Sequence, residues 1–420
     1  MSETTRRFAE PPTDRPRYAA PDGLGRIRRN ALGIGGVALV VCAGWQSLGG
    51  DTTELYRAWL VGWLYWLGIS LGCLALLMIQ HLSAGGWGLV ARRVFEAAAR
   101  TLPLLLVLGV PLFVLGLEPL YVWMRPETAQ TEMIRHLLEH KAPYLNAGGF
   151  WLRFGLYFAV WLGLTWLLCR LSDRQDETGD VGLSRKMRMV AGPGLVLYAF
   201  AVTFAAVDWL MSLEPEWFST IYGAIFFGGL GMASLAFVIL IALWLWRREP
   251  LRRFLVEVHF HDYGKLMFAF VLLWTYFSFS QFLIIWSGNQ AEEIGWFVHR
   301  MRPPGWGALG AALLLLHFAV PFALLLSRDL KRNPRRLAWV AAGLMVMHWA
   351  DLYWQAVPAL SPERFTIGVL DVAAPVAIGG LWLAWFAWQL GGRPVLAYND
   401  PYLVKLPFHD TPEEEAMSHG

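Results

Sequence analysis

Ten apolar stretches, each close to the length a helix needs to cross a bilayer, dominate this chain: 31–49, 57–79, 101–118, 149–171, 188–211, 221–246, 264–287, 304–327, 336–357 and 369–390. A transmembrane helix takes about 20 mostly apolar residues to span a hydrocarbon core about 30 Å thick. Inside that core every backbone N–H and C=O must be satisfied within the segment, so runs of this length predict helices. The expected fold class is an all-α integral membrane protein of about ten transmembrane helices. Composition agrees, with 56% hydrophobic and 16% charged residues against about 25% charged in a soluble domain. The first run is Gly-rich, and the third carries Pro103 and Pro111, which kink a helix unless neighbours satisfy the freed carbonyls.

Ten crossings put both termini on one side, together with loops 80–100, 172–187, 247–263 and 328–335, and that side carries most of the 35 Lys and Arg residues. The positive-inside rule then makes both termini cytoplasmic. Residues 1–30, polar, basic and Pro-rich without an apolar h-region, are expected to form a disordered cytoplasmic tail. Residues 31–395 form the transmembrane domain, and 396–420 a cytoplasmic C-terminal tail. Clusters such as Arg247-Arg248 and "RDLKRNPRR" (328–336) anchor the topology against anionic membrane lipid. The net charge of +3 names no partner, and no nucleic acid is expected. The outer segment 119–148 spaces Met133, Leu137 and Leu138 for a short amphipathic helix, which could lie on the surface or dock an extracytoplasmic subunit.

Cys42, Cys73 and Cys169 lie in or beside apolar runs and form no CxxC or CxxCH, which argues against an iron–sulfur cluster, covalent haem or a disulfide framework. No metal site is expected. The chemistry must sit in polar residues at membrane depth, where ionisable groups are costly. His317 in the eighth span and His348 in the ninth lie roughly 15 and 18 Å from the cytoplasmic helix ends, at matched depth on consecutive helices. They could ligate a b-type haem, bond to neighbouring backbone, or relay protons between imidazole nitrogens. The relay reading draws in Asp351 and Gln355, which share a helix face with His348.

The seventh span adds Thr275, Ser278 and Gln281 at three-residue steps, and its inner mouth, "HFHDYGK", gathers His259, His261, Asp262 and Lys265. That cluster could collect protons; as a zinc site its spacing is poor. On the outer side, Glu118 and Asp371 read as solvated helix caps. Asp208 lies about 6 Å inside its helix end, where a carboxylate must be paired or protonated. The candidate proton path is thus Asp208, His261, Asp262, Lys265, Ser278, Gln281, His317, His348, Asp351 and Gln355, with no catalytic residue assigned.

"VDWLMSLEPEWFSTI" (207–221) has an echo in "ADLYWQAVPALSPERFTI" (350–367), which matches Asp208 to Asp351 and suggests that spans two to five and six to nine are related four-helix bundles. Together "DWLMSLEPEWFSTIYG", "YFSFSQFLIIWSGNQAEE" and "HWADLYW" resemble the NrfD-like membrane subunits of alternative complex III, over roughly residues 30–395. These are similar to the membrane subunit of polysulfide reductase. The resemblance implies two four-helix bundles with flanking helices in a bacterial inner membrane. It also implies partners: a sister NrfD-like subunit, an iron–sulfur protein, multihaem cytochromes c and a terminal oxidase. Such a complex oxidises quinol, menaquinol or ubiquinol, for transfer to cytochrome c or an oxidase. The sister subunit is implied as the oxidation site, and this one as a proton route with no covalently bound cofactor, although quinone could bind either. The residues alone leave two alternatives open, an independent ion- or solute-coupled transporter and a non-conducting scaffold.

Overall fold

Each apolar run becomes a helix in the computed structural model, which describes residues 18–128, 131–362 and 365–403. In chain order the helices are α1 (Leu24–Ser47), α2 (Thr52–Ser83), α3 (Gly86–Ala99), α4 (Leu102–Leu120), α5 (Glu132–Lys141), α6 (Ala147–Thr178), α7 (Gly182–Trp209) and α8 (Tyr222–Trp246). There follow α9 (Leu251–Phe254), α10 (Glu257–Gly288), α11 (Ala291–Met301), α12 (Pro304–Ala312), α13 (Val320–Leu326), α14 (Arg328–Arg332), α15 (Pro334–Ala356) and α16 (Val369–Gly391). A π-helical stretch, Leu313–Ala319, joins α12 to α13. The described residues contain no strand.

Among them, nine helical segments are long and apolar enough to cross a membrane. The protein is an all-α, multi-pass membrane protein. The tenth expected crossing, α15, has the length but is not among the nine; Arg335, Arg336, His348, Asp351 and Gln355 interrupt its apolar surface.

Packing follows the two groups suggested by the repeat. α2, α4, α6 and α7 form one; α8, α10, the π stretch with α13, and α15 form the other; α2 lies against α8 between them. α1 and α16 pair on the flank and pack on α2. Helices in lipid gain little from the hydrophobic effect and associate through close van der Waals fit, which favours small residues. Gly35 of α1 and Gly380 of α16 show this fit, since a Cβ on Gly380 would stand 2.5 Å from the Gly35 Cα.

Three expectations at the edges change. The N-terminal tail does not extend to residue 30, because α1 begins at Leu24 and Tyr18 is already buried, its carbonyl accepting the Val395 N–H at 2.9 Å. The start of the C-terminal tail, 396–403, is packed, with Leu396, Tyr398 and Leu403 buried. Residues 1–17 and 404–420 lie outside the described residues. Finally, loop 80–100 is mostly helix α3, whose Arg92, Arg93 and Glu96 are buried. The chain breaks at Arg100–Thr101 and restarts with Pro103 in the first turn of α4, where a missing N–H costs nothing. The expected amphipathic helix is present as α5, but only Leu138 of its apolar trio is buried, while Met133 is 81% exposed.

Candidate functional site

The buried polar residues of the second group converge near the middle of the bundle. α10 supplies Trp274, the π stretch His317, and α15 His348, Asp351 and Gln355. A π turn inserts an extra residue per turn and re-aims side chains, so such turns often mark functional sites. Here the His317 ring packs against Trp274 at 4.4 Å, tilted by 54°, and lies 6.4 Å from His348 between ring centroids. Both histidines are buried, and neither of their ring nitrogens has a protein hydrogen-bond partner. Gly229 of α8 lets that helix approach: a Cβ there would meet the His348 ring at 2.8 Å. Tyr65 of α2 closes another side of His348 at 5.9 Å. The pair is therefore enclosed by packed rings and backbone, a poor fit to a porphyrin slot.

Asp351 is 3% exposed. Its Oδ2 accepts from Trp274 Nε1 at 3.2 Å and from Gln355 Nε2 at 2.9 Å. No cation pairs with it among the described residues. Four residues further along α15, the Gln355 carbonyl accepts from Arg300 of α11 at 2.7 Å. Arg300 is 1% exposed; it also donates to the Trp354 and Trp296 carbonyls and both oxygens of Glu214, the latter at 2.9 and 3.2 Å. Its guanidinium lies 3.8 Å over the Trp296 ring. Burial lowers its basicity, and the Glu214 carboxylate opposes that. A polar series thus runs from His317 through Trp274, Asp351, Gln355 and Arg300 to Glu214.

Beside this series is a cavity of about 1050 Å³, lined by Asp351, Gln355, Arg300, Gln281, Ser278 and Thr275 among aromatic and aliphatic side chains. Its α10 and π-stretch walls include Tyr276, Phe279 and Leu314, which are 65%, 58% and 64% exposed. These apolar groups face outward from the bundle, so in a membrane the cavity opens sideways to lipid. Gln281 is buried and its Oε1 accepts a short hydrogen bond from Ser219.

The structure therefore brings together His317, His348, Asp351, Gln355, Gln281 and Ser278. The inner cluster stands apart. Asp262 and Lys265 pair at 3.1 Å in a partly exposed position, and His261 is half-buried beside them. Along α10 between this cluster and Trp274, the buried residues Met267 and Val271 are apolar.

Asp208 is also separate, in the first group. Its Oδ2 accepts from Arg153 Nε at 2.8 Å and from the Tyr157 hydroxyl at 2.7 Å. An arginine neutralises it, which is how a carboxylate persists just inside a helix end. The expected outward branch through Asp208 is not what this geometry shows. Asp208→Asn is expected to lower stability by about 1–3 kcal/mol, the scale of a charge-assisted hydrogen bond. The midpoint of thermal unfolding in detergent reads this, with activity per folded molecule unchanged. A wild-type midpoint combined with lost activity would return Asp208 to the path.

Asp371 corrects another expectation. It caps α16 as expected, accepting from the Gly368 N–H at 2.8 Å, but it is 2% exposed rather than solvated and also accepts from Arg57 at 3.1 Å and Tyr353 at 3.2 Å, so it ties α16 to α2 and α15. Arg300 was missed because "AEEIGWFVHRM" lies between two expected spans, outside the apolar runs. The available signal was the Trp296–Arg300 spacing, which places a cation on an aromatic face.

No protein-family model matches this chain, and no curated protein is significantly similar to it.

Proposed function

We propose that this protein is the membrane subunit of a respiratory quinol:electron-acceptor oxidoreductase of the alternative complex III kind. In this reading it sits in a bacterial cytoplasmic membrane with both termini inside. Its partners are a sister NrfD-like subunit, an iron–sulfur protein and multihaem cytochromes c. The motif resemblance of the three quoted segments supports the class. The observation that carries the role is the lipid-facing cavity with an unneutralised, buried carboxylate, Asp351, on its wall.

A quinol that loses electrons to a redox partner must also release its hydroxyl protons. Asp351, held by Trp274 and Gln355, is placed to accept a proton from a group in the cavity or from water. His317 and His348 lie behind it with unpartnered nitrogens that can exchange protons. Glu214 and Arg300 stand where the series reaches the outer loops. The cavity also fits the quinol itself, since polar groups lie at its depth and an apolar side opening suits an isoprenoid tail.

Affinity purification of the tagged full chain from its native membrane, in mild detergent, tests the class. Haem absorbance and iron–sulfur signals should co-elute with quinol:cytochrome c activity. A solitary chain that binds a small ion or solute would overturn the proposal in favour of a transporter.

A further inference from the structure

We propose a second ligand site, on the flank away from the Asp351 cavity: a groove between α6 and α16 that binds one phospholipid with a phosphoethanolamine headgroup. The groove encloses about 980 Å³ at the end of the bundle where both described termini lie. It does not depend on the reading of the Asp351 site.

The argument starts from the order of side chains along α6. Trp166, Arg170, Asp173 and Glu177 all line the groove. Their spacing of three to four residues keeps them on one helix face, each about one 5.4 Å turn beyond the last. Read from the membrane outward, the face presents an aromatic ring, then a cation, then carboxylates. A phosphoethanolamine lipid presents acyl chain, then phosphate, then ammonium in the same direction. The α16 wall repeats the order, with Trp388, 53% exposed, followed by Arg393. Tryptophans at this level suit the boundary between hydrocarbon and headgroup. A soluble phosphate would gain nothing from them.

Charge sharpens the assignment. Arg393 and Arg100 both pair with Asp173, at 3.3 and 2.8 Å, so each already has a carboxylate partner. Among the described residues Arg170 has no carboxylate within ion-pairing distance; it is exposed, with its guanidinium 5.0 Å over the Trp166 ring. Glu177 is also exposed and has no cation within that distance among the described residues. Among the described residues the site therefore offers one unpaired cation and one unpaired anion at successive depths. A headgroup carrying both signs satisfies both, whereas a purely anionic headgroup would meet Glu177 as a repulsion. A trimethylated amine has no N–H to donate to a carboxylate.

Native mass spectrometry of the full-length, delipidated protein tests this, with phosphatidylethanolamine, phosphatidylcholine and phosphatidylglycerol of the same acyl chains added in turn. One phosphatidylethanolamine should bind with an affinity on the order of tenfold above the other two, the factor supplied by one charge-assisted hydrogen bond. Arg170→Ala with Glu177→Gln should remove that preference. Both residues are exposed, so the thermal midpoint of the double variant checks that the fold is intact. Soluble phosphoethanolamine without chains should not compete. Equal binding of all three lipids, or a preference untouched in the double variant, would overturn the site; stronger binding of phosphatidylglycerol would overturn the amine-bearing headgroup.

Discussion

Glu96→Ala is expected to be the most destabilising single substitution proposed here, lowering stability by about 3–5 kcal/mol, the cost of removing one partner from a buried ion cluster. Glu96 is 1% exposed, and its two oxygens accept from Arg92 at 3.0 Å, Arg93 at 2.6 Å and Ser172 at 2.6 Å. Arg92 reaches on to Asp400 at 2.6 Å, and Arg93 to Asp176. The cluster fastens α3 to α6 and to the segment after α16. Without Glu96, two buried guanidiniums lose the acceptor they share; each keeps one carboxylate, Asp400 or Asp176, but N–H groups of both are left without a partner. Glu96→Gln keeps an acceptor oxygen but loses the charge, so its effect should fall between alanine and wild type. The readout is the thermal midpoint and the yield of folded protein in detergent. A wild-type midpoint for Glu96→Ala would show that the cluster contributes no net stability, which is possible for a buried ion network only if desolvation cancels the attraction.

This cluster also marks what the sequence could not disclose. The helices were legible because a bilayer demands long apolar runs, and all ten expected runs are helices in the structure. His317, His348, Asp351 and Gln355 were legible for the same reason, as polar interruptions of such runs. Arg92, Arg93 and Glu96 were not, because three charges within five residues read as a solvated loop.

Their burial depends on partners far away in the chain. Arg92 meets Asp400, and Arg57 meets Asp371; no local window contains either pairing. Asp208 is the converse case. Its position at a helix end resembled that of Asp351, but Arg153 and Tyr157 surround it while Asp351 meets only neutral donors. The difference between a carboxylate tied to a cation and one held by neutral donors lay in those neighbours, not in the residue or its motif.

Asp351→Asn is accordingly expected to abolish most proton-coupled turnover while leaving the protein folded. Asparagine keeps an oxygen that can accept from Trp274 and Gln355, so the hydrogen bonds at 3.2 and 2.9 Å have a replacement acceptor. What it loses is the capacity to take up a proton. If quinol oxidation passes its proton to this group, removal of a positioned acceptor should slow turnover on the order of 100-fold. Glu216→Gln, at an exposed position in the loop that also carries Glu214, should change nothing and controls for a general effect of removing charge. The measurement is quinol-driven reduction of the electron acceptor in vesicles containing the whole complex, with proton release followed in the same sample. Loss of both signals together places Asp351 at the oxidation step. Retained electron transfer with a lowered proton-to-electron ratio places it further along the series toward Arg300 and Glu214. Wild-type values for both would remove Asp351 from proton transfer altogether, and the Trp274–Asp351–Gln355 contacts would then be a tie between α10 and α15.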